Sequence, residues 1–124
     1  MRWPIIFCTI AALGLLASAQ GADVGRTEYR ASCASCHGTD GKGDGPVRQA
    51  LKIPPPDLTV LAKNNKGVFP YDMVYETIDG RHMASGHGTR EMPVWGYRFG
   101  PPQAFHYKQR MLAVIDYLKR IQEK

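Results

Sequence analysis

Cysteine is scarce in this sequence, with three among 124 residues. Only one C-x-x-C pair can be formed, Cys33 with Cys36, which leaves no second pair for a four-cysteine zinc site. Long apolar runs are equally few. The one present, residues 3–16, is shorter than the roughly 20 residues a membrane-spanning helix prefers, and Pro4 interrupts its start. Internal repeats and runs of like charge are missing, so a repeat array or a charged tail finds no support. No basic cluster interleaved with aromatics is present, which argues against nucleic acid as a partner. No clear alternation of apolar and polar residues marks a strand.

The start of the chain reads as a targeting segment. Arg2 supplies a short positive region, residues 3–16 are almost wholly apolar, and Ala17-Ser18-Ala19 has the small-x-small pattern of a cleavage site. The expectation is a secretory signal over residues 1–19, cut after Ala19, and one domain over 20–124. A retained membrane anchor is the competing reading; cleavage would leave no stable membrane insertion. Cys8 leaves with the signal, so the mature chain keeps Cys33 and Cys36. Such thiols in an oxidising compartment, here the periplasm, form a disulfide, bind metal or become alkylated. The formal charge of +5 falls by one to +4 without Arg2. A mildly basic surface suits acidic protein partners.

The mature part reads as all-α with long loops. Asp23 can cap a helix over 24–35 that buries Tyr29. Residues 38–46, rich in Gly, Asp and Lys, form a loop. A short helix is expected over 47–51, stopped by Pro54-Pro55-Pro56, and another from Pro56 through Lys63. A turn over 64–67 precedes a helix opened by Pro70 and closed by Gly80, with Met73, Val74, Thr77 and Ile78 as its apolar stripe. Residues 81–102 read as mainly loop, with His106 just before the last helix. That helix is the clearest element: Tyr107, Met111, Val114, Ile115, Leu118 and Ile121 recur at spacings of three and four. Met73 and Met111 are expected in the core.

Cys33-Ala34-Ser35-Cys36-His37 is a C-x-x-C-H motif, the attachment signature of a c-type haem. Two cysteines three apart at a helix end can reach the two vinyl groups of one haem and form thioethers, while the adjacent histidine ligates iron. Three other readings compete. A zinc site would need His82 and His87 to complete an unusual two-cysteine, two-histidine set. A thioredoxin-like redox pair would want a βαβ surround. A plain disulfide across two residues is strained and leaves His37 unexplained. Haem would also add a large apolar body to the core of a domain of about 105 residues, and two ionised propionates would bring +4 to +2.

With this motif in place, the whole mature sequence resembles class I monohaem cytochromes c. Gly25 and Tyr29 stand eight and four positions before Cys33, where that family carries a glycine and an aromatic on its first helix. Tyr117 and Leu118 match its aromatic-leucine pair on the last helix. The resemblance implies the cytochrome c fold: N- and C-terminal helices that cross at Gly25, Tyr29 packed beside Tyr117, and short helices and loops wrapped around one haem. Gly41-Lys42-Gly43-Asp44-Gly45-Pro46 resembles the loop after the motif in many bacterial members, and a carbonyl there, that of Pro46, is expected to accept the Nδ1 proton of His37.

Met92-Pro93-Val94-Trp95-Gly96 resembles the segment on which the family carries its second axial ligand, 55 residues after His37. Met92 is therefore the expected sixth ligand, with Pro93 stiffening its loop and Trp95 shielding the ring; His82, Met83 and His87 are rivals. Arg81, Arg90, Trp95 and Tyr97 are candidate propionate contacts. His/Met ligation raises the reduction potential and leaves only electron transfer. The function expected is electron transfer between periplasmic redox partners, without substrate chemistry, with Lys42, Lys52, Lys63 and Lys66 as candidate steering charges. Alternatives are a cytochrome subunit of a periplasmic dehydrogenase complex, or a haem peroxidase or gas sensor with an open site.

Overall fold

In the computed structural model of the chain, the described residues are 23–81, 91–101 and 104–124. Six α-helices lie among them: α1 Val24–Ser32, α2 Ala34–His37, α3 Leu61–Asn64, α4 Tyr71–Asp79, α5 Trp95–Arg98 and α6 Phe105–Arg120. Two 3-10 turns, Arg48–Ala50 and Leu58–Val60, punctuate the stretch between α2 and α3. No strand occurs among the described residues, and the all-α expectation holds. None of the described helices is long and apolar enough to cross a membrane. The expected signal over 1–19 lies outside the described residues, as do His82, Met83, His87 and Arg90.

Local chemistry sets the helix limits. The Asp23 carboxylate accepts from the Arg26 amide at 3.0 Å and so satisfies one of the donors that a helix start leaves without a partner. The first helix ends sooner than residue 35. Cys33, at φ −116°, closes α1 and opens α2, yet the His37 amide still reaches the Cys33 carbonyl at 3.0 Å. Asp57, not Pro56, begins the next helical stretch: its carboxylate accepts from the Thr59 amide at 2.8 Å, a bond that proline at a helix start can only do without. Short α5 interrupts the expected loop over 81–102, and His106 falls inside α6.

The core sits where α6 meets α1 and α4. A Cβ on Gly25 would overlap the Ala113 carbonyl, so the two backbones touch there, as only glycine permits. Beside this point the rings of Tyr29 and Tyr117 meet at 5.1 Å, tilted by 45°. Met111, Val114, Ile115 and Leu118 of α6, Val74 and Ile78 of α4, and Phe99 belong to the same buried cluster. Burying each such side chain contributes about 1.5–3 kcal/mol. Glu28 and Arg110 brace α1 and α6 with two parallel hydrogen bonds, 2.6 and 3.1 Å. After α6, the Gln122 side chain donates to the Leu58 carbonyl at 2.7 Å and accepts from the Ala62 amide at 2.9 Å, tying the C-terminus to the middle of the chain. Met73 departs from expectation. It is 52% exposed, because α4 turns it toward the edge of a cavity rather than into this cluster.

Candidate functional site

That cavity has a volume of about 360 Å³, and each of the six described helices contributes to its wall. From α1 and α2 come Tyr29, Cys33, Cys36 and His37; from the middle stretch Leu51, Ile53, the three prolines 54–56, Leu58 and Leu61. Met73, Val74, Thr77 and Ile78 of α4 form one side, Val114 and Leu118 of α6 the base, and Glu91, Met92, Pro93 and Trp95 another side. Cys33, Cys36, His37 and Met92, the four expected site residues, thus line a single apolar space. The bend at Cys33 accounts for the first three: it leaves α2 as a short turn carrying Cys36 and His37 beside the thiol of Cys33.

His37 is 8% exposed. Its Nδ1–H donates to the Pro56 carbonyl at 3.4 Å, a tautomer that leaves Nε2 free to bind a metal. Burial holds the imidazole below its ordinary pKa, and the Pro56 carbonyl partly offsets this. The acceptor is therefore Pro56 and not Pro46. The loop over 38–47 lies back along α2 and spends its amides there. Gly43 donates to the His37 carbonyl at 2.8 Å, Gly45 to that of Cys36 at 3.1 Å and Val47 to that of Ser35 at 3.1 Å. A side chain on Gly45 would overlap those α2 carbonyls, so glycine is what lets the loop close in. The ring edge is left to the proline segment. From α1, the Tyr29 hydroxyl donates to the Gly38 carbonyl at 2.7 Å, fixing the residue that follows the histidine.

Cys33 and Cys36 are half-buried and are not joined to each other as a disulfide. Burial pushes the Cys33 thiol up to about 12, with Glu28 and Cys36 adding smaller effects. Across the cavity, Met92 is half-buried against the core cluster. Trp95 stacks on Phe99 at 5.8 Å and carries the Arg98 guanidinium over its outer face at 5.3 Å.

Two features escape a reading of the sequence. The Glu91 carboxylate accepts from the Lys52 and Ile53 amides, both at 2.9 Å, and these bonds hold it below its ordinary pKa. Asp79, 2% exposed, accepts from Arg81 Nε at 2.8 Å and from the Tyr107 hydroxyl. Burial alone would raise the Asp79 carboxyl, but the hydrogen bonds from Arg81 and Tyr107 bring it below its ordinary value. Arg81 also donates to the Tyr107 hydroxyl at 2.6 Å and lies over that ring at 4.9 Å. Its guanidinium is thus engaged with Asp79 and Tyr107, and Arg81 is not among the residues of the cavity wall. Tyr97, 72% exposed, also lies off that wall, whereas Trp95 is on it. Of the lysines, Lys42 is taken up by Thr59 at 2.7 Å and by Glu123, while Lys52, Lys63 and Lys66 are exposed.

This donor set fits a covalently held haem. Two thiols flank one turn of helix, an imidazole is held by its outer nitrogen, and a thioether stands on the same apolar wall, which suits a large flat apolar group. Among the described residues, no three of His, Cys, Asp and Glu gather as a metal cluster. No curated protein and no solved structure matches the chain. The family model for cytochrome c matches residues 22–122, most of the sequence, and the chain therefore belongs to the cytochrome c family, whose cofactor is a covalently attached haem c and whose general work is electron transfer.

Proposed function

We propose that this chain is a periplasmic electron carrier, exported by a signal over residues 1–19 that is removed to leave 20–124. Cys33 and Cys36 hold one haem c by thioethers, and His37 and Met92 ligate its iron. The observation that carries this reading is the single apolar cavity lined by all four residues, which come from segments 55 residues apart. When bound, the haem supplies a one-electron Fe(III)/Fe(II) couple.

The protein residues set the conditions for that couple. Pro56 fixes the His37 ring and makes it a better donor. The Met92 thioether is a soft ligand that favours the reduced metal. Leu58, Leu61, Val74, Ile78, Val114 and Leu118 exclude water from the wall. Ile53 and Met73 line the cavity and are 70% and 52% exposed, which marks the rim where a redox partner approaches. The charge of +4 without Arg2 favours partners with acidic docking surfaces, an attraction that added salt weakens.

The deciding experiment is an optical spectrum and redox titration of the exported, matured protein beside Met92→Ala. The wild type is expected to be low-spin, with the weak far-red band of thioether-ligated ferric haem, and Met92→Ala to be high-spin without it. A wild type that is high-spin and takes up carbon monoxide readily would instead be the open-site haem protein.

A further inference from the structure

Residues 52–56 form one run of chain, of which Ile53, Pro54, Pro55 and Pro56 line the cavity wall. Proline has no backbone N–H, so this run offers just two backbone donors, those of Lys52 and Ile53. Both go to one carboxylate, that of Glu91, each at 2.9 Å. The far end of the same run supplies the Pro56 carbonyl to His37 Nδ1 at 3.4 Å. Glu91 immediately precedes Met92, and Glu91, Ile53, Pro56, His37 and Met92 all line the one cavity.

We propose that Glu91 is a positioning residue for Met92, a clamp that fastens the methionine loop to the proline-stiffened segment that also braces His37. The inference rests on the reading of Met92 as the sixth ligand. A carboxylate is needed because each amide takes one of its two oxygens, and an ionised acceptor makes both bonds stronger than an amide or hydroxyl would. Three consecutive prolines keep the segment from yielding, since their φ angles are fixed. On the other side of Met92, α5 is seated by Gly96, where a side chain would press on Asp79 and Arg81. The methionine is thus held on both flanks, and on the Glu91 side by a contact that ends on the histidine's own support.

The test uses matured holoprotein at one neutral pH, comparing wild type, Glu91→Ala and Glu91→Gln. Imidazole competes with a protein ligand only when the methionine loop is open, so its apparent affinity reads the open population. Glu91→Ala is expected to bind imidazole about tenfold more tightly than wild type. Glu91→Gln keeps the reach and one good acceptor, and is expected to bind roughly threefold more tightly; it decides the matter if the alanine variant fails to mature. A clasp with a purely structural role would lower the denaturant midpoint and leave imidazole affinity at the wild-type value. That result, in a wild type that shows the far-red band, overturns the clamp alone. A wild type without the band sinks the reading of Met92, and the clamp falls with it.

Discussion

Gly25 and Ala113 meet backbone to backbone: a Cβ on the glycine would overlap the alanine carbonyl and lie 3.0 Å from the Cβ of Tyr117. Neither obstacle is the tip of a flexible side chain, so Gly25→Ala must push α1 off α6. That movement reaches the cavity, because Tyr29 and Cys33 are on or next to α1. The expected cost is about 1–3 kcal/mol, read as a lower denaturant midpoint with an unchanged slope. A variant as stable as wild type would show that the helix pair can part without loss.

The Tyr29 hydroxyl is the donor to the Gly38 carbonyl, and both residues are buried. Tyr29→Phe keeps the ring packed against Tyr117 and removes only that bond. Leaving a buried carbonyl without its donor costs about 1–3 kcal/mol. Equilibrium unfolding of the matured protein checks it; a change below about 0.5 kcal/mol would mean that water replaces the hydroxyl.

These contacts show which parts of the molecule a sequence can disclose. Cys33, Cys36 and His37 are legible because haem attachment demands a fixed local spacing. The stripe on α6 is legible because 16 residues repeat the period often enough to be seen. The place of Met92 on the cavity wall needed more, namely a proline and a tryptophan at set offsets. Glu91 leaves no local trace: its amide partners are 38 and 39 residues away, and an acidic residue in a polar stretch looks solvated. Asp79 is hidden in the same way, since Tyr107 stands 28 positions downstream. The choice of Pro56 over Pro46 as the His37 acceptor depends on how the loop returns along α2. That path is tertiary and is not encoded in either proline's neighbours. At four residues, α5 is too short for periodicity to register.

Arg81 and Asp79 form a pair whose side chains are 14% and 3% exposed. Removing the cation while keeping its bulk, as in Arg81→Met, leaves Asp79 with the Tyr107 hydroxyl and the backbone amide of residue 81 but with no counter-charge. An uncompensated buried charge of this kind typically costs about 3–5 kcal/mol. The double variant Arg81→Met, Asp79→Asn is expected to recover much of that loss, because the stranded charge goes with it. A double-mutant cycle by denaturant unfolding measures the coupling, and purely additive losses would mean that the pair contributes nothing beyond packing.

Glu28 and Arg110 make the pH dependence of the α1–α6 contact testable. The Arg110 guanidinium, followed by the Ser32 hydroxyl, holds the Glu28 carboxyl below its ordinary 4.5, against an opposing effect of burial. A carboxyl depressed in the folded state takes up its proton more readily when unfolded. Its stabilisation is therefore complete above about pH 4.5 and is lost as pH falls through the depressed folded value. Arg110 is 42% exposed, so solvent screening limits the contribution to on the order of 0.5–1 kcal/mol. Glu28→Gln cannot ionise and carries none of this dependence. Urea midpoints for the two proteins should differ at neutral pH and converge as pH is lowered through the depressed folded value of Glu28, with added salt narrowing the neutral gap. A gap that stays constant over that range would mean that Glu28 acts through the shape of its side chain and not through its charge.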